Sequence, residues 1–320
     1  MIDVPDASRL LLDVALKPIQ GARFQPTGFP DLGPATYDRP KKDGTVPMVL
    51  VESPQSVANR LESVCVTADG ELVSELRGLP YVRVDQGGMP LTSSLEEAHR
   101  LNSPYIEKSV WNGEKEGFHK RLATEIGYQA SRPHDARKLA AALFRYDPNS
   151  LIHGCFLESI AGVLRVPRLV SGFIEAEGVE RVPYGGVKND RVSAKADAAE
   201  GRTAKDGFGN VPFHREEFTA ASITAYFNVD LVQLRSYQLG PEAEQLLFAL
   251  SLWKIGRFLE EGLRLRTACD LDVAEPVTVR RPSGFELLTT ANLGEILPGL
   301  IEACAAQFAD PRVTIVTFGD

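Results

Sequence analysis

Residues 52–63, with the sequence ESPQSVANRLES, carry polar groups at a spacing that suits anion binding. Ser53 is a favourable N-cap residue, and Pro54 would take the first helical position, where a missing N–H group costs nothing. Free N–H groups at a helix start, with hydroxyl, amide and guanidinium groups on the next turn, form a natural phosphate site. The alternative is an ordinary capped surface helix, because such caps are common. The candidate ligands on this segment are Ser53, Gln55, Ser56, Asn59 and Arg60.

The loop KPIQGARFQPTGFPDLG, residues 17–33, is a second candidate for phosphate contact. Its glycines permit close approach of the backbone to a ligand. Lys17, Arg23 and Gln25 supply hydrogen-bond donors, and the two cations among them make the stronger bonds to an anion. The alternative is a well-ordered surface loop that binds nothing.

A basic stretch runs from Arg181 to Arg215 within an otherwise acidic chain. It holds seven lysines and arginines against four acidic residues. Its segment GGVKNDR could grip a phosphate as a backbone nest through Lys188, Asn189 and Arg191. Because the stretch lacks a sustained apolar period, we predict a mobile loop or arm there.

Composition limits the class of protein. The 320 residues suffice for one large domain or two, and 43% hydrophobic with 24% charged residues is ordinary for a globular chain. The four cysteines form no CxxC pair, which predicts reduced, buried thiols in a cytoplasmic protein. No apolar run approaches the length of a membrane helix, and nothing resembles a signal peptide. The net charge of −8 counts against nucleic-acid binding, since phosphate contacts normally need a basic surface.

The most specific catalytic signatures are missing from this sequence. It has no Walker loop, no GxSxG elbow and no HExxH helix. No two of its five histidines have metal-ligand spacing, and the apolar context of His153 predicts a satisfied core histidine. The residues alone therefore point to no particular catalytic activity, and we expect neither a metal nor another cofactor.

Alternating and helical apolar periods predict the elements that position these groups. Residues 10–16 alternate as a first strand, and residues 222–231 form the clearest strand of the chain. Pro241 opens a long apolar helix, residues 265–273 alternate as a strand, and residues 313–318 form a last strand. The order strand–helix–strand, insertion, strand–helix–strand predicts an α+β fold with a ferredoxin-like, split βαβ core.

Five segments of this chain together resemble one family, the repeated RNA-binding backbone subunit of type I CRISPR interference complexes (Cascade). The family belongs to the RAMP superfamily, and the subtype I-G form, formerly I-U, is the most similar. The resemblance extends over nearly the whole chain and implies an RRM-like palm with inserted finger and thumb segments. The segments are QGARFQPTGFPDLG, VESPQSVANRLE, GGVKNDR, FGNVPFHREEFTA and RLRTACDL.

With that resemblance the chain divides into five parts. Residues 67–135 are interpreted as short helices and hairpins rather than core, because glycine and proline punctuate them. The predicted parts are a first half of the palm (1–66), an inserted finger or helical region (67–150), a further palm segment (151–177), a thumb-like arm (178–215) and a second half of the palm (216–320).

The resemblance also implies which residues contact RNA. In the wider superfamily, a helix opened by Ser-x-Gln-Ser and followed by a basic residue lies beside the guide RNA. Asn59 stands where related subtypes often carry a basic residue, so this chain departs from their pattern there. The predicted RNA-binding residues are Lys17, Arg23, Gln25, Ser53, Gln55, Ser56, Asn59 and Arg60 at the palm, and Lys188, Asn189 and Arg191 at the arm.

The function implied by the resemblance is that of a non-catalytic, cytoplasmic subunit in antiviral defence, which polymerises head to tail as a helical oligomer on a CRISPR guide RNA (crRNA). Its partners would be the guide RNA, further copies of itself, the guide-capping and large Cascade subunits, and a target DNA strand reached through the guide, with no membrane contact. Base pairing would supply the sequence specificity, while the protein holds the guide backbone. Affinity shared among many copies reconciles RNA binding with an acidic chain.

The sequence is also compatible with two other functions. Related backbone subunits in another CRISPR type cut guide-paired RNA with a loop aspartate, and Asp31, Asp38 and Asp43 lie in a loop that could act this way. The second is a self-assembling structural protein that binds no RNA. A magnesium-dependent cleavage assay on paired RNA tests the ribonuclease, and polymerisation in the presence of nuclease tests the structural protein.

Overall fold

The computed structural model describes residues 2–29, 31–111, 116–129, 132–160, 162, 164–192, 203, 206 and 208–319. The strands are β1 (Arg9–Pro18), β2 (Gly28–Phe29), β3 (Gly33–Pro34), β4 (Thr36–Lys41), β5 (Gly44–Glu52), β6 (Tyr81–Gln86), β7 (Met89–Ser93), β8 (Ser109–Trp111), β9 (Cys155–Leu157), β10 (Leu164–Val166), β11 (Val170–Glu177), β12 (Glu180–Lys188), β13 (Val211–Thr219), β14 (Ser222–Asp230), β15 (Arg264–Arg266), β16 (Cys269–Val273), β17 (Thr278–Arg281) and β18 (Val313–Phe318). The helices are α1 (Pro54–Ser63), α2 (Pro104–Glu107), α3 (Phe118–Glu125), α4 (Ala136–Tyr146), α5 (Asn149–His153), α6 (Leu231–Ser236), α7 (Pro241–Glu261) and α8 (Thr290–Ala303).

The main sheet has the strand order β15-β16-β1-β14-β11-β5-β4, with β17 pairing along β1 as well. All of these pairings are antiparallel. Alternate residues of β1 and β14 are buried, as the sequence predicts, because successive side chains of a strand point to opposite faces. α1 packs against β11 and against α7, so helices and sheet share one core. The predicted α+β class is therefore confirmed.

The long helix α7 has the bounds that its sequence indicates. Pro241 lies in its first turn and Gly262 is its C-cap residue. Its predicted apolar residues are buried, and so is Lys254, with 1% of its surface exposed. A buried ammonium group needs partners, and Lys254 donates hydrogen bonds to Asn149 Oδ1 and, at 2.9 Å, to His153 Nε2.

A second sheet, of order β7-β6-β18-β8, joins the end of the chain to the insertion. β18, expected in the second half of the palm, pairs in parallel with β6 and antiparallel with β8, so that expectation is wrong. The insertion also contributes to the core: Leu76, Val82 and Phe118 are buried in the same hydrophobic cluster as the palm residues, so the expectation that it lies outside the core is wrong too. Apolar alternation specifies a strand and its inward face but not the strand it pairs with.

Three segments are more regular than their sequences predict. The loop before α1 contains the hairpin β4–β5, whose turn is Lys42-Asp43 between the paired residues Lys41 and Gly44, with φ +126° at Gly44. The expected strand over 265–273 is two strands, β15 and β16, paired across a short turn. The arm is a two-stranded ribbon of β12 and β13, not a loop, because paired backbone groups satisfy each other without an apolar period. The middle of the arm, residues 193–202, 204–205 and 207, lies outside the described residues.

Two further predictions concern thiols and membranes. Cys65, Cys155, Cys269 and Cys304 are all buried and unbridged, as the sequence predicts. Within the described part of the chain, no helix has the length and apolar character needed to cross a membrane.

Candidate nucleic-acid interface

α1 begins as its sequence predicts. Ser53 is the N-cap residue, and its Oγ accepts a hydrogen bond from the backbone N–H of Ser56 at 3.2 Å. Val57 is buried against the sheet, while Gln55 and Asn59 are exposed on the opposite side. Gln55 Nε2 donates a hydrogen bond of 2.8 Å to Asn59 Oδ1, which orients both amides on the exposed face. This face of α1 is therefore accessible to a ligand.

Directly before the cap lies a carboxylate that is almost completely buried. The side chain of Glu52 is 1% exposed, and three side chains donate hydrogen bonds to it. The Ser56 hydroxyl and Arg60 Nε, the latter at 3.1 Å, donate to Oε1, and Arg266 Nη2 donates to Oε2. A buried carboxylate needs such partners, since desolvation without them is costly. Ser56 and Arg60, both predicted to bind RNA, are thus also structural partners of Glu52.

Arg60 and Arg266 also donate hydrogen bonds that connect distant segments of the chain to the start of α1. Arg266 Nη1 donates to the carbonyl oxygens of Gln25 at 2.9 Å and Val51 at 3.2 Å, and Arg60 Nη2 donates to that of Leu265. Partial burial lowers the pKa of both arginines below the ordinary value for the residue, because desolvation disfavours a charged group. Two guanidinium groups face one carboxylate, so the cluster carries a net positive charge.

Arg168 is a third cation at this helix start and lies in none of the motifs singled out in the sequence. Its Nη1 donates to the carbonyl oxygen of Pro54 at 3.2 Å, and its Nη2 donates to Gln55 Oε1. Arg266 lies within the RLRTACDL segment, which carries part of the family resemblance but holds none of the predicted RNA-binding residues. Neither arginine is close to α1 in sequence, so spacing alone does not connect them to it.

The loop after β1 packs on the base of the arm. Phe24 and Phe218 exchange backbone hydrogen bonds of 2.9 and 2.8 Å, and Arg23 forms an ion pair with Glu217 at 3.3 Å. A groove of about 570 Å³ separates the loop from β13. Its lining includes Gln25, Phe29, His214, Arg215 and Arg266.

The structure therefore brings together most of the predicted palm residues but not those of the arm. Gln25, α1 and the two arginines on Glu52 form one continuous surface, and exposed Lys17 lies at the end of β1 opposite Asp272. Lys188, Asn189 and Arg191 are exposed at the far end of β12. About eight residues of strand, roughly 26 Å, separate them from the base of the arm.

A buried polar cluster lies beneath this surface. His153 is 1% exposed, and burial together with the charges of Lys254, Arg100 and Arg168 lowers the pKa of its imidazole well below 6.5. Its Nε2 is bonded to Lys254, whereas its Nδ1 has no hydrogen-bond partner among the described residues. The expected satisfied core histidine is therefore buried, as predicted, but only half satisfied.

We expect the protein to become less stable as the pH falls, because of His153. The folded protein keeps this imidazole neutral, whereas the unfolded chain binds a proton near pH 6.5, so folding is weakened as the pH drops below that value. The pKa of neighbouring Asp147, raised to about 6 chiefly by burial, acts in the opposite sense. Urea unfolding of wild type and His153→Gln at about pH 7 and pH 5 should show a smaller loss for the variant. Equal losses in both proteins would contradict this assignment.

The aspartates considered for a ribonuclease are scattered over the hairpins before α1. Asp31 lies in the turn between β2 and β3, Asp38 in β4 and Asp43 in the turn before β5, and all three are exposed. In the described ranges, no three or more histidine, cysteine, aspartate or glutamate residues form a group that could hold a metal ion.

The chain is similar to known CRISPR proteins. The model of the family described as CRISPR-associated protein GSU0053 matches residues 10–181, more than half of the chain. No curated protein matches this sequence. Among solved structures, a chain of a CRISPR RNA-guided surveillance complex (pre-nicking) is 11% identical with a TM-score of 0.41, over 78% of this chain and 69% of that one. The crystal structure of Csc2 from Thermofilum pendens is 10% identical with a TM-score of 0.34, over 93% and 76%. Both likenesses are distant, so family assignment rests on the sequence match.

Proposed function

Because this chain belongs to the CRISPR-associated protein GSU0053 family, as its sequence resemblance predicted, we propose that it binds CRISPR guide RNA as a backbone subunit of an interference complex. Copies of the chain polymerise along the guide as a helical oligomer of the Cascade type, subtype I-G. The protein has no catalytic role, and the guide selects the target DNA strand by base pairing. Its further partners are guide-capping and large subunits.

One observation carries this proposal, the convergence of cations at the start of α1. Arg60, Arg266 and Arg168 come from three separate parts of the chain and all contact the first turns of this helix or the residue before it. Among the described residues, Glu52 is the carboxylate that bonds to Arg60 and Arg266, and Glu62 also acts electrostatically on Arg168. A local excess of positive charge on an acidic protein suits a polyanion held at a few points by each of many copies.

The N–H donors of Arg60 and Arg266 that remain unused favour contact with the phosphate backbone of RNA. A guanidinium group has five N–H donors, and the contacts with Glu52 and nearby carbonyl oxygens use only some of those of Arg60 and Arg266. The side chains of Arg60 and Arg266 are 26% and 24% exposed, so a phosphate can reach them. Phosphate contacts hold a strand without reading its bases, as a subunit on a variable guide requires.

An RRM-like palm forms part of this proposal. The antiparallel order β16-β1-β14-β11, with α1 between β1 and β11 and α7 between β14 and β16, supports a ferredoxin-like arrangement. The ribbon of β12 and β13 takes the place of the thumb, and its exposed end bears Lys188, Asn189 and Arg191. These residues would contact the guide at a second point, distant from α1.

The first experiment is to purify the protein through a high-salt wash and to extract and size the nucleic acid that remains. We expect RNA of discrete length, and particle masses that rise in steps of one subunit with its share of RNA. Nucleic-acid-free monomers that also fail to bind repeat-containing RNA at low salt would overturn the proposal. Polymers that persist after nuclease treatment would instead indicate a self-assembling structural protein.

A further inference from the structure

A second groove, of about 740 Å³, lies between the insertion and the palm. Its volume is in the range that encloses a drug-sized ligand. The lining has a part that is buried or half-buried, which we call the inner end, and an exposed part, which we call the outer end. The inner end includes His153, Gly154 and Arg168, and the outer end includes Glu107, Glu158 and Arg165.

The inner end is built by a close backbone contact. Gly154 has a φ of +81°, and a Cβ there would lie 2.9 Å from the carbonyl oxygen of Val166. The segment that carries His153 therefore lies directly against the segment that carries Arg168. The carbonyl oxygen of Gly154 also accepts a hydrogen bond of 3.2 Å from buried Arg100, which fixes this part of the groove.

The imidazole of His153 presents a buried donor at the inner end. Lys254 Nζ lies 2.9 Å from His153 Nε2, and an ammonium group can only donate, so Nε2 is the acceptor. Burial and nearby cations hold the pKa of this imidazole well below 6.5, so the ring is neutral and its one proton is on Nδ1. Nδ1 has no hydrogen-bond partner among the described residues. A buried N–H donor needs an acceptor, and the groove is where a ligand can supply one.

The charges around this donor favour an acceptor that is an anion. Arg168 uses two of its five N–H donors, on the carbonyl oxygen of Pro54 and on Gln55 Oε1. It forms no salt bridge within the described ranges, whereas neighbouring Arg100 is paired with Glu62 at 2.5 Å. The remaining donors of Arg168 and the Nδ1–H group of His153 can therefore both bond to one anionic group.

The outer end has the opposite charge. Glu107 and Glu158 are exposed there, and Arg165 is the one cation among the exposed residues of the lining. The guanidinium carbon of Arg165 lies 4.1 Å from the centroid of the Phe156 ring, so its charge is held over an aromatic face. A polyanion that left the inner end would pass two carboxylates and be repelled. A ligand with a single terminal anion and a neutral or cationic body is favoured instead.

We propose that this groove binds the C-terminal end of a protein partner, with the terminal carboxylate at His153 Nδ1 and Arg168 and a basic residue of the peptide near Glu107 and Glu158. An extended peptide end matches the charges along the groove, because its backbone carries one carboxylate at the end and no other charge. Capture of a terminal carboxylate is an established mode of peptide recognition. The inference goes beyond RNA binding and does not depend on it.

The test uses N-acetylated tetrapeptides that have lysine or glutamate two residues before the C-terminus, each as the free acid and as the C-terminal amide. They are titrated calorimetrically into the full-length protein. We expect the lysine free acid to bind most tightly and its amide to bind about tenfold more weakly, because the charge-assisted hydrogen bonds are lost. With ¹⁵N-labelled histidine, the free acid should shift the Nδ1 signal of His153, which is assigned by its loss in His153→Gln.

Variants locate the peptide in the groove. Arg168→Gln should remove most of the preference for the free acid over the amide, and Glu158→Gln should reduce the preference for lysine over glutamate. Arg77→Gln, at an exposed arginine outside the groove lining, is the matched control and should change neither preference.

The outcomes separate this inference from the proposed function. Equal affinity for acid and amide in the wild-type protein, or binding that leaves the His153 signal unchanged, would overturn the peptide site. A dinucleotide with one phosphodiester that binds where no peptide does would also overturn it and assign the groove to nucleic acid. Since no peptide measurement involves guide RNA, protein that binds the peptides but no guide RNA would overturn the proposed function alone.

Discussion

Glu52→Gln is expected to lower the free energy of unfolding by about 3 kcal/mol, because it leaves two arginines facing each other across a partner that has lost its charge. Glu52 is 1% exposed and receives hydrogen bonds from Ser56, Arg60 and Arg266. Glutamine keeps the volume of the side chain, so the effect reports the charge and not a cavity. Denaturant unfolding of the purified, RNA-free protein measures the difference.

Glu177→Gln is the matched control for this measurement. Glu177 also pairs with two cations, Arg39 and Lys41, but it is 32% exposed at the end of β11. Exposed ion pairs contribute little, so we expect a loss of less than about 1 kcal/mol. Equal losses in the two variants would show that the Glu52 cluster contributes no more than a surface ion pair.

The largest expected effect on RNA binding comes from removing both arginines of this cluster. We expect Arg60→Gln with Arg266→Gln to weaken guide binding by about tenfold and to lower the slope of log affinity against log salt by about two units. Arg60→Ala alone should lower the slope by about one. The loss should be equal for guides of different sequence, because phosphate contacts carry no base information.

Folding must be separated from binding in this experiment. The double variant leaves Glu52 buried without its cations, so the triple variant with Glu52→Gln is measured beside it. Arg39→Gln on β4 controls for the loss of a surface charge, and it should leave the slope unchanged. An unchanged slope in a folded triple variant would remove Arg60 and Arg266 from the RNA-binding surface.

Several features of the site follow from local sequence. The start of α1 at Ser53 and Pro54 and the start of α7 at Pro241 depend on hydrogen bonds and backbone angles within one turn. The burial of alternate residues in β1 depends only on strand geometry. Even the hairpin before α1 had a local signal, a glycine with positive φ, Gly44, directly after its turn.

The ion pairs and hydrogen bonds of the arginines at this site were harder to predict. Arg60 was identified from a motif as an RNA ligand, but its bond to Glu52 depends on how the end of β5 lies against the helix. Arg168 lies 113 residues from Gln55, to which it is bonded, and Arg266 lies 214 residues from Glu52. The cations that converge on α1 therefore become visible only when the palm is assembled.

The amino-acid sequence by itself determined the α+β class, the caps and inward faces of the main helices and strands, and membership of a CRISPR-associated family. Only the tertiary structure decided that β18 joins the insertion, that the arm is a ribbon, and that three distant arginines meet at one helix start. The physical reason is the range of the forces involved. Helix caps and the apolar period of a helix or strand depend on residues that are close together in the sequence. Strand partners and ion pairs are instead selected by packing between segments that are far apart in the sequence.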